Sequence, residues 1–335
     1  MIKLAVDFGS SMTKIYRADT GNGIVLVEPS CVAVTGEERE IHAIGKQAKK
    51  LIGKTAGATS IVYPVHEGKI VDSRLAAEML KEFLNRIGLK GLAFKRSVTV
   101  FSVPCGLPEG ALDEYRMVAK ECGLKQVKFV SAPFLSAIGS DAVLSEVNPV
   151  CCLDIGGGVT NMAVLSTDGV IVGFSMNLGG RNMDVNVQKV LEYKGLRIGM
   201  LTAERIKNEI GSLSKNARGT TLAEGRSVYE ARPHSVSVEA AEISPCIRIY
   251  IDKILEYTAQ ALQQLPAEVA ATVNQNGIYL SGGVMKLSGV ADYIASRLKM
   301  TAHVCEEPQF ACILGGGNLV RDKKLLDRLA LKNEQ

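Results

Sequence analysis

Two short segments of this 335-residue chain each combine an aspartate with closely following glycines: Asp7-Phe8-Gly9-Ser10-Ser11 and Asp154-Ile155-Gly156-Gly157-Gly158. Glycine lets the backbone of a turn approach a polyphosphate closely, with N–H groups pointing inward as donors. An aspartate at such a turn can hold Mg2+, mostly through water, because this cation gives up its hydration shell reluctantly. Two such turns facing each other would clamp phosphates from both sides. Taken alone, Asp7–Ser11 also fits a plain β-hairpin turn. The triple glycine is more demanding, since three in a row after a strand cost conformational entropy with no packing gain.

The surroundings of the two turns repeat. KLAVDFGSSMTKIYRADTG reads as strand, turn, strand, turn. VCCLDIGGGVTNMAVLSTDG reads the same way about half-way along, with its second turn at Asp168-Gly169. The repeat predicts a duplicated α/β domain with a cleft between the halves, where ligands tend to sit. Between the copies the pattern predicts a helix over Leu75–Ile87, a strand over Ser97–Val103, and helices over Gly110–Cys122 and Ala132–Asp141. After the second copy come helices over Met183–Tyr193 and Thr202–Leu213, a polar loop or hairpin over Gly219–His234, and a long helix over Pro245–Leu265. A strand at Gly277–Leu280 then runs into Ser281-Gly282-Gly283, and the charged tail Asp322–Gln335 reads as a short amphipathic helix or frayed end.

Composition excludes several functions. Hydrophobic residues are 47% and charged residues 22% of the chain, an ordinary globular balance. A net charge of +4 is too small to argue for nucleic acid. No apolar run reaches the length of a membrane-spanning helix, and the opening strand leaves no room for a signal peptide. None of the eight cysteines forms a CxxC pair, and the adjacent Cys151 and Cys152 sit in an apolar run. They read as small buried hydrophobes rather than metal ligands, in a reducing cytoplasm.

The two glycine turns resemble the phosphate 1 and phosphate 2 motifs shared by actin, MreB, sugar kinases and the seventy-kilodalton heat-shock chaperones. Ser281-Gly282-Gly283-Val284-Met285 resembles the adenosine motif, and Leu314-Gly315-Gly316-Gly317 the second connecting helix of that superfamily. Glu28-Pro29-Ser30, Ile44-Gly45-Lys46-Gln47-Ala48-Lys49-Lys50, Gly179-Gly180 with Asp184, and Thr202-Ala203-Glu204-Arg205-Ile206-Lys207 are similar to the MreB family of bacterial actins, at its spacing and over essentially the whole chain. The resemblance implies an actin-like ATPase fold, with two ribonuclease-H-like domains flanking a nucleotide cleft. They would span 1–145, with a small insert at about 30–75, and 146–335, with one at about 180–245. It implies ATP and Mg2+ as cofactors, with Asp7 and Asp154 at the metal. The implied nucleotide-binding residues are Gly9, Ser10, Ser11, Met12 and Lys14; Gly156, Gly157, Gly158 and Gly180; Glu204, Arg205, Ile206 and Lys207; and Gly282, Gly283, Val284 and Met285. Glu204, Lys207 and Asn208 share one helix face, which the family turns toward ribose and adenine.

Three departures stand out. The family's water-positioning Glu, followed by Pro and 22 positions ahead of the second aspartate, is Ala132 here, followed by Pro133. The family's Thr after the glycine triplet is Val159. An orienting group typically contributes about 10²–10⁴ in rate, so the expectation is ATP binding with slow or absent hydrolysis, at most a slow ATPase. Ser131 and Ser136, or Thr160 and Asn161, are the alternative suppliers of that function. Lys14 stands where MreB proteins usually carry leucine and actin carries lysine; it either reaches the β- or γ-phosphate as a point charge or faces outward from an exposed strand.

The family also polymerises and lies on the inner face of the plasma membrane, which implies self-association into protofilaments and contacts with inner-membrane lipid and membrane proteins. The apolar loop candidate is Gly88–Arg96, with Leu92 and Phe94 as its anchors, each gaining about 1.5–3 kcal/mol if fully buried. Packing of Leu92 and Phe94 inside the domain is the alternative. The leading expectation is a cytoplasmic, membrane-peripheral filament protein of cell shape. Its rival is a non-polymerising nucleotide-binding switch or scaffold that modulates another filament. A sugar or acetate kinase lacks an evident base for a substrate hydroxyl, and a chaperone lacks a substrate-binding domain after Gly317.

Overall fold

The computed structural model describes residues 1–21, 23–54, 57, 59–89 and 97–331. Its frame is two five-stranded sheets of one topology. In the first, Ile2–Phe8, Met12–Arg17 and Gly23–Pro29 form an antiparallel meander, and Ser97–Val103 and Gln126–Ser131 add in parallel beyond Ile2–Phe8. In the second, Val150–Ile155, Thr160–Ser166 and Gly169–Met176 form the meander, with Ile278–Ser281 and Ala302–Val304 parallel beyond it. The duplication predicted from the two glycine turns is thus a duplication of sheets. A three-stranded sheet of Val32–Thr35, Glu40–Ile44 and Thr59–Val62 is inserted in the first half, and one of Leu196–Arg197, Thr220–Ser227 and Pro233–Glu239 in the second.

Strand alternation sorts the core into layers. Leu4, Val6 and Phe8 pack outward against the helices Ser73–Arg86 and Glu109–Glu121, whereas Ala5 faces the middle of the molecule. Cys151, Leu153 and Ile155 likewise pack outward in the second half, and Cys152 faces inward. The two adjacent cysteines therefore lie on opposite faces of one strand. All eight thiols are free, and burial pushes that of Cys151 up to about 12.

The middle layer holds the two helices that join the halves, Ala132–Gly139 and Ala311–Leu319. They cross backbone to backbone. A Cβ at Gly315 would lie 1.8 Å from the Leu135 carbonyl oxygen, and one at Gly139 1.8 Å from that of Ala311. Interior helix glycines cost about 1 kcal/mol each in propensity, and this contact explains their presence. Gly315→Ala is expected to destabilise the protein by about 3 kcal/mol through overpacking. Gly110→Ala, where a Cβ meets nothing within 4 Å, is expected to be neutral or stabilising. Parallel denaturant melts check the pair, and equal stability of the two variants would contradict the crossing.

Two predicted boundaries need correction. The polar Gly219–His234 segment is a hairpin that extends to Glu239. The long helix runs over Ala240–Gln263, with Pro245 inside it rather than at its start. Upstream residues seal the helix before proline can: Glu242 Oε2 accepts the Glu239 N–H at 2.9 Å, a local signal that outweighs one missing N–H.

Candidate functional site

The first glycine turn is built by its neighbours. The Ser30 N–H donates to the Ser11 carbonyl at 3.0 Å, and the Thr13 and Ser30 hydroxyls bond at 2.8 Å. Glu28, just ahead, accepts the Lys46 N–H at 2.8 Å and so docks the Gly45–Lys49 segment against this turn. The second turn closes with Gly156 N–H donating to the Val159 carbonyl at 2.9 Å, while Gly180 and Arg181 donate to the carbonyls of Gly156 and Gly157. The two turns abut. A Cβ at Gly157 would stand 2.2 Å from Ser11 Oγ and 2.8 Å from its Cβ, so any side chain here would have to displace Ser11.

Beside that junction opens a cavity of about 610 Å3. Asp7 and Asp154, one from each sheet, both line it. Lys14 Nζ sits 2.7 Å from Asp7 Oδ2, with the lysine side chain only 15% exposed; it points into the cavity, not outward. Burial pulls Lys14 down, but the charge and hydrogen bond of Asp7 outweigh it and leave its ammonium above the ordinary range. Burial and the negative charge of Asp7 push Asp154 up to about 6, against Lys14, Ser281 and Asn161, which favour its ionised form. The Ser281 hydroxyl donates to Asp154 Oδ1 at 3.1 Å. Two carboxylates and one ammonium leave this end of the cavity short of positive charge.

Gly282, Gly283 and Val284 also line the cavity, as do Glu204, Lys207 and Asn208. A Cβ on Gly283 would meet nothing within 4 Å, so the backbone there fronts open space. Lys207 forms a buried pair with Asp184 at 2.7 Å and donates to the Gly180 carbonyl at 3.1 Å. That explains the spacing of Gly180 and Asp184, which puts a carbonyl and a carboxylate around one ammonium.

Of the residues singled out in the sequence, Gly9, Ser10, Ser11, Met12, Lys14, Gly156, Gly157, Gly158, Gly180, Glu204, Lys207, Gly282, Gly283 and Val284 line the cavity. Arg205, Ile206 and Met285 do not. Arg205 turns to Glu209 and the Leu222 carbonyl, on the far side of its helix from the cavity. Ile206 and Met285 are buried in the outer core of the second half. Ala132 and Val159 both line the cavity, as apolar groups. Ser131, Ser136 and Thr160 stay outside it, and the Thr160 hydroxyl is committed to the Leu178 carbonyl at 2.8 Å. Asn161 lines the wall, but its carbonyl oxygen accepts the Cys105 N–H at 3.0 Å. Leu92 and Phe94 lie outside the described residues.

Sequence reasoning missed Arg181, Tyr63 and Lys49 as wall residues. Lys49 reaches across to Glu204 at 2.8 Å, and Arg181 stacks over Tyr63. Arg181 directly follows a glycine pair already singled out, which was a usable signal. Nothing local announces that Tyr63 faces it.

Comparison with known proteins agrees with this architecture. The family model described as MreB/Mbl protein matches residues 1–328. The chain is 28% identical over 331 residues to the cell shape-determining protein Mbl of Bacillus subtilis (strain 168), covering 98% of each chain. It is 30% identical over 320 residues to the cell shape-determining protein MreB of Escherichia coli (strain K12), covering 94% of this chain and 92% of that one. Among solved structures, MreB5 of Spiroplasma citri bound to AMPPNP superposes with a TM-score of 0.90 at 25% identity, covering 97% of both chains. The MamK double helical filament, at 19% identity and a TM-score of 0.79, shares the fold. With its two matching sheets, the paired glycine turns and this coverage, the chain belongs to the MreB/Mbl family of actin-like proteins.

Proposed function

We propose that this protein binds ATP with Mg2+ in the cavity between its glycine turns and assembles with copies of itself into filaments that serve cell shape, while hydrolysing ATP slowly or not at all. The observation that carries the binding is the convergence of both turns and of Asp7 and Asp154 on one cavity of about 610 Å3, a size suited to one small-molecule ligand. The relative with AMPPNP bound covers 97% of this chain. The donor set fits Mg2+: two carboxylates face the cavity, and burial and the charge of Asp7 push Asp154 up to about 6, a cost that a bound cation would relieve. Bound there, Mg2+ supplies charge neutralisation to the phosphates, held by Asp7 and Asp154 mostly through water. The remaining work falls to the chain: the turns donate N–H groups, Lys14 adds a fixed cation, and the Gly282–Val284 and Glu204–Asn208 walls take the nucleoside.

Titration calorimetry with ATP and Mg2+ tests the binding; heat-silent titrations at millimolar ligand would sink it. Lys14→Ala is expected to weaken ATP affinity about tenfold or more, since charge-assisted hydrogen bonds contribute about 1.5–3 kcal/mol. An unchanged Kd would remove Lys14 from the phosphates.

The apolar Ala132 and Val159 favour a second reading, a nucleotide-holding switch or scaffold that does not polymerise. Electron microscopy with ATP and Mg2+ separates the two. For localisation we propose the inner face of the plasma membrane, with Leu92 and Phe94 as the apolar contact. Among the described residues no helix is long and apolar enough to cross a membrane. We also propose a division into 1–145 and 146–335.

A further inference from the structure

We infer that Arg181 is a latch that ties the second half of the molecule to the first across the cleft and sets how fast a bound nucleotide leaves. The inference rests on the nucleotide reading above and deepens it. Arg181 is the second residue of the Gly180–Tyr193 helix, and its main-chain N–H donates to the Gly157 carbonyl at 2.8 Å, which fixes it to the second glycine turn. Its guanidinium then leaves its own half. One terminal nitrogen donates to the Ser10 carbonyl, in the first glycine turn, at 3.4 Å. The guanidinium carbon lies 4.3 Å from the ring centre of Tyr63, which follows the last strand of the first half's small sheet. One side chain therefore bridges three separate segments around the cavity, and both it and Tyr63 line that cavity.

Among the described residues, no ion pair is formed between Arg181 and a carboxylate. Its direct contacts are a carbonyl and an aromatic face, with the Asp184 carboxylate near enough to feel its charge, and as a wall residue it is placed to meet phosphate oxygens. A second tie, Lys49 to Glu204 at 2.8 Å, spans the cleft, but its side chains are 36% and 41% exposed and water and salt screen it. Arg181, by contrast, holds both glycine turns, through its main-chain N–H to Gly157 and its guanidinium to Ser10. Parting of the halves, which would widen the way out for a nucleotide, must pull the guanidinium off Tyr63 and Ser10 together.

The contribution of a partly desolvated cation–π contact corresponds to about tenfold in a rate. The test loads full-length protein with a fluorescent ATP analogue and Mg2+, then chases with unlabelled ATP. Arg181→Ala and Tyr63→Leu are each expected to speed release about tenfold, and the double variant to be no faster than the faster single one, because both remove one interaction. Tyr63→Phe keeps the ring and should release within about twofold of wild type; Arg181→Lys keeps the charge but not the planar face, and should release faster than wild type. Fast release by Arg181→Ala with Tyr63→Leu at the wild-type rate would overturn the latch, as would additive effects. If the analogue does not bind wild-type protein, the nucleotide reading fails and the latch is read from hydrogen exchange of the nucleotide-free protein. Faster exchange of the Tyr63–Gly68 backbone in Arg181→Ala than in wild type then supports the latch, and equal exchange overturns it.

Discussion

A chain carrying Ala132→Glu and Val159→Thr together is expected to hydrolyse ATP about 10²-fold faster than the wild type. Both positions line the cavity, so the new polar groups would arrive where the present side chains offer no hydrogen bond. Ala132 opens the Ala132–Gly139 helix, a rigid base for a carboxylate, and threonine has nearly the shape of valine. The nearby substitutes are displaced or engaged: Ser131 and Ser136 lie outside the cavity, the Thr160 hydroxyl bonds the Leu178 carbonyl, and the Asn161 side-chain oxygen accepts the Cys105 N–H. A phosphate-release assay with Mg2+ and ATP decides the matter. Wild-type turnover as fast as that of the double variant would mean that some other group already orients the attacking water.

The second large effect concerns Asp154. Its carboxyl is pushed up to about 6 in the folded chain against an ordinary value of 3.8, by burial first and by Asp7 second. Between those two values the folded state binds more protons than the unfolded chain. The stability that protonated Asp154 contributes is therefore complete below about 3.8 and is lost as pH rises through about 6. A shift of this size corresponds to about 3 kcal/mol, carried as a cost by the nucleotide-free protein at neutral pH. Asp154→Asn cannot ionise and still offers an oxygen to the Ser281 hydroxyl. Without nucleotide it should be more stable than wild type by about 2–3 kcal/mol at pH 7.5, the gap closing as pH falls through 6. With ATP present, it should lose the Mg2+-dependent part of the stabilisation that wild type gains. Denaturant melts across pH check both halves of this expectation, and a pH-independent gap would refute the assignment of the cost to this carboxyl.

Local signals made the frame legible. Ser97–Val103 interleaves Ser and Thr with Val and Phe, a β-branched and aromatic run, and the strand appears with those same ends. The paired Asp-x-Gly turns exposed the duplication because a glycine turn after a buried strand is visible in sequence without knowing any partner. Pro245 misled, since proline is a start signal only when nothing upstream closes the helix first. The adenosine side shows a different failure. The family resemblance implies Glu204 to Lys207 as one contiguous block, yet successive residues of a helix differ by about 100° in direction, so a block cannot share a face. Glu204 and Lys207 reach the cavity while Arg205 and Ile206 turn elsewhere. Contacts across the cleft were illegible for another reason: Lys49 and Glu204 are 155 positions apart, and no local pattern records such a meeting.

The first and last described segments lie in the same half. Ile2–Phe8 is the central strand of the first sheet, and Ala311–Leu319 comes back from the second half to pack on it and on Met12–Arg17. The Leu331 N–H then donates to the Phe129 carbonyl at 2.8 Å, beside that sheet's edge strand. This order has a consequence during synthesis. Once residues up to 310 have emerged from the ribosome every strand of both sheets is available, and the second half can close on its own outer core. The first sheet still waits, with Ala5, Tyr16 and Val100 uncovered by the helix that will shield them. The half made first is therefore completed last, and a nascent or truncated chain ending there presents a bare apolar face to chaperones and to its neighbours.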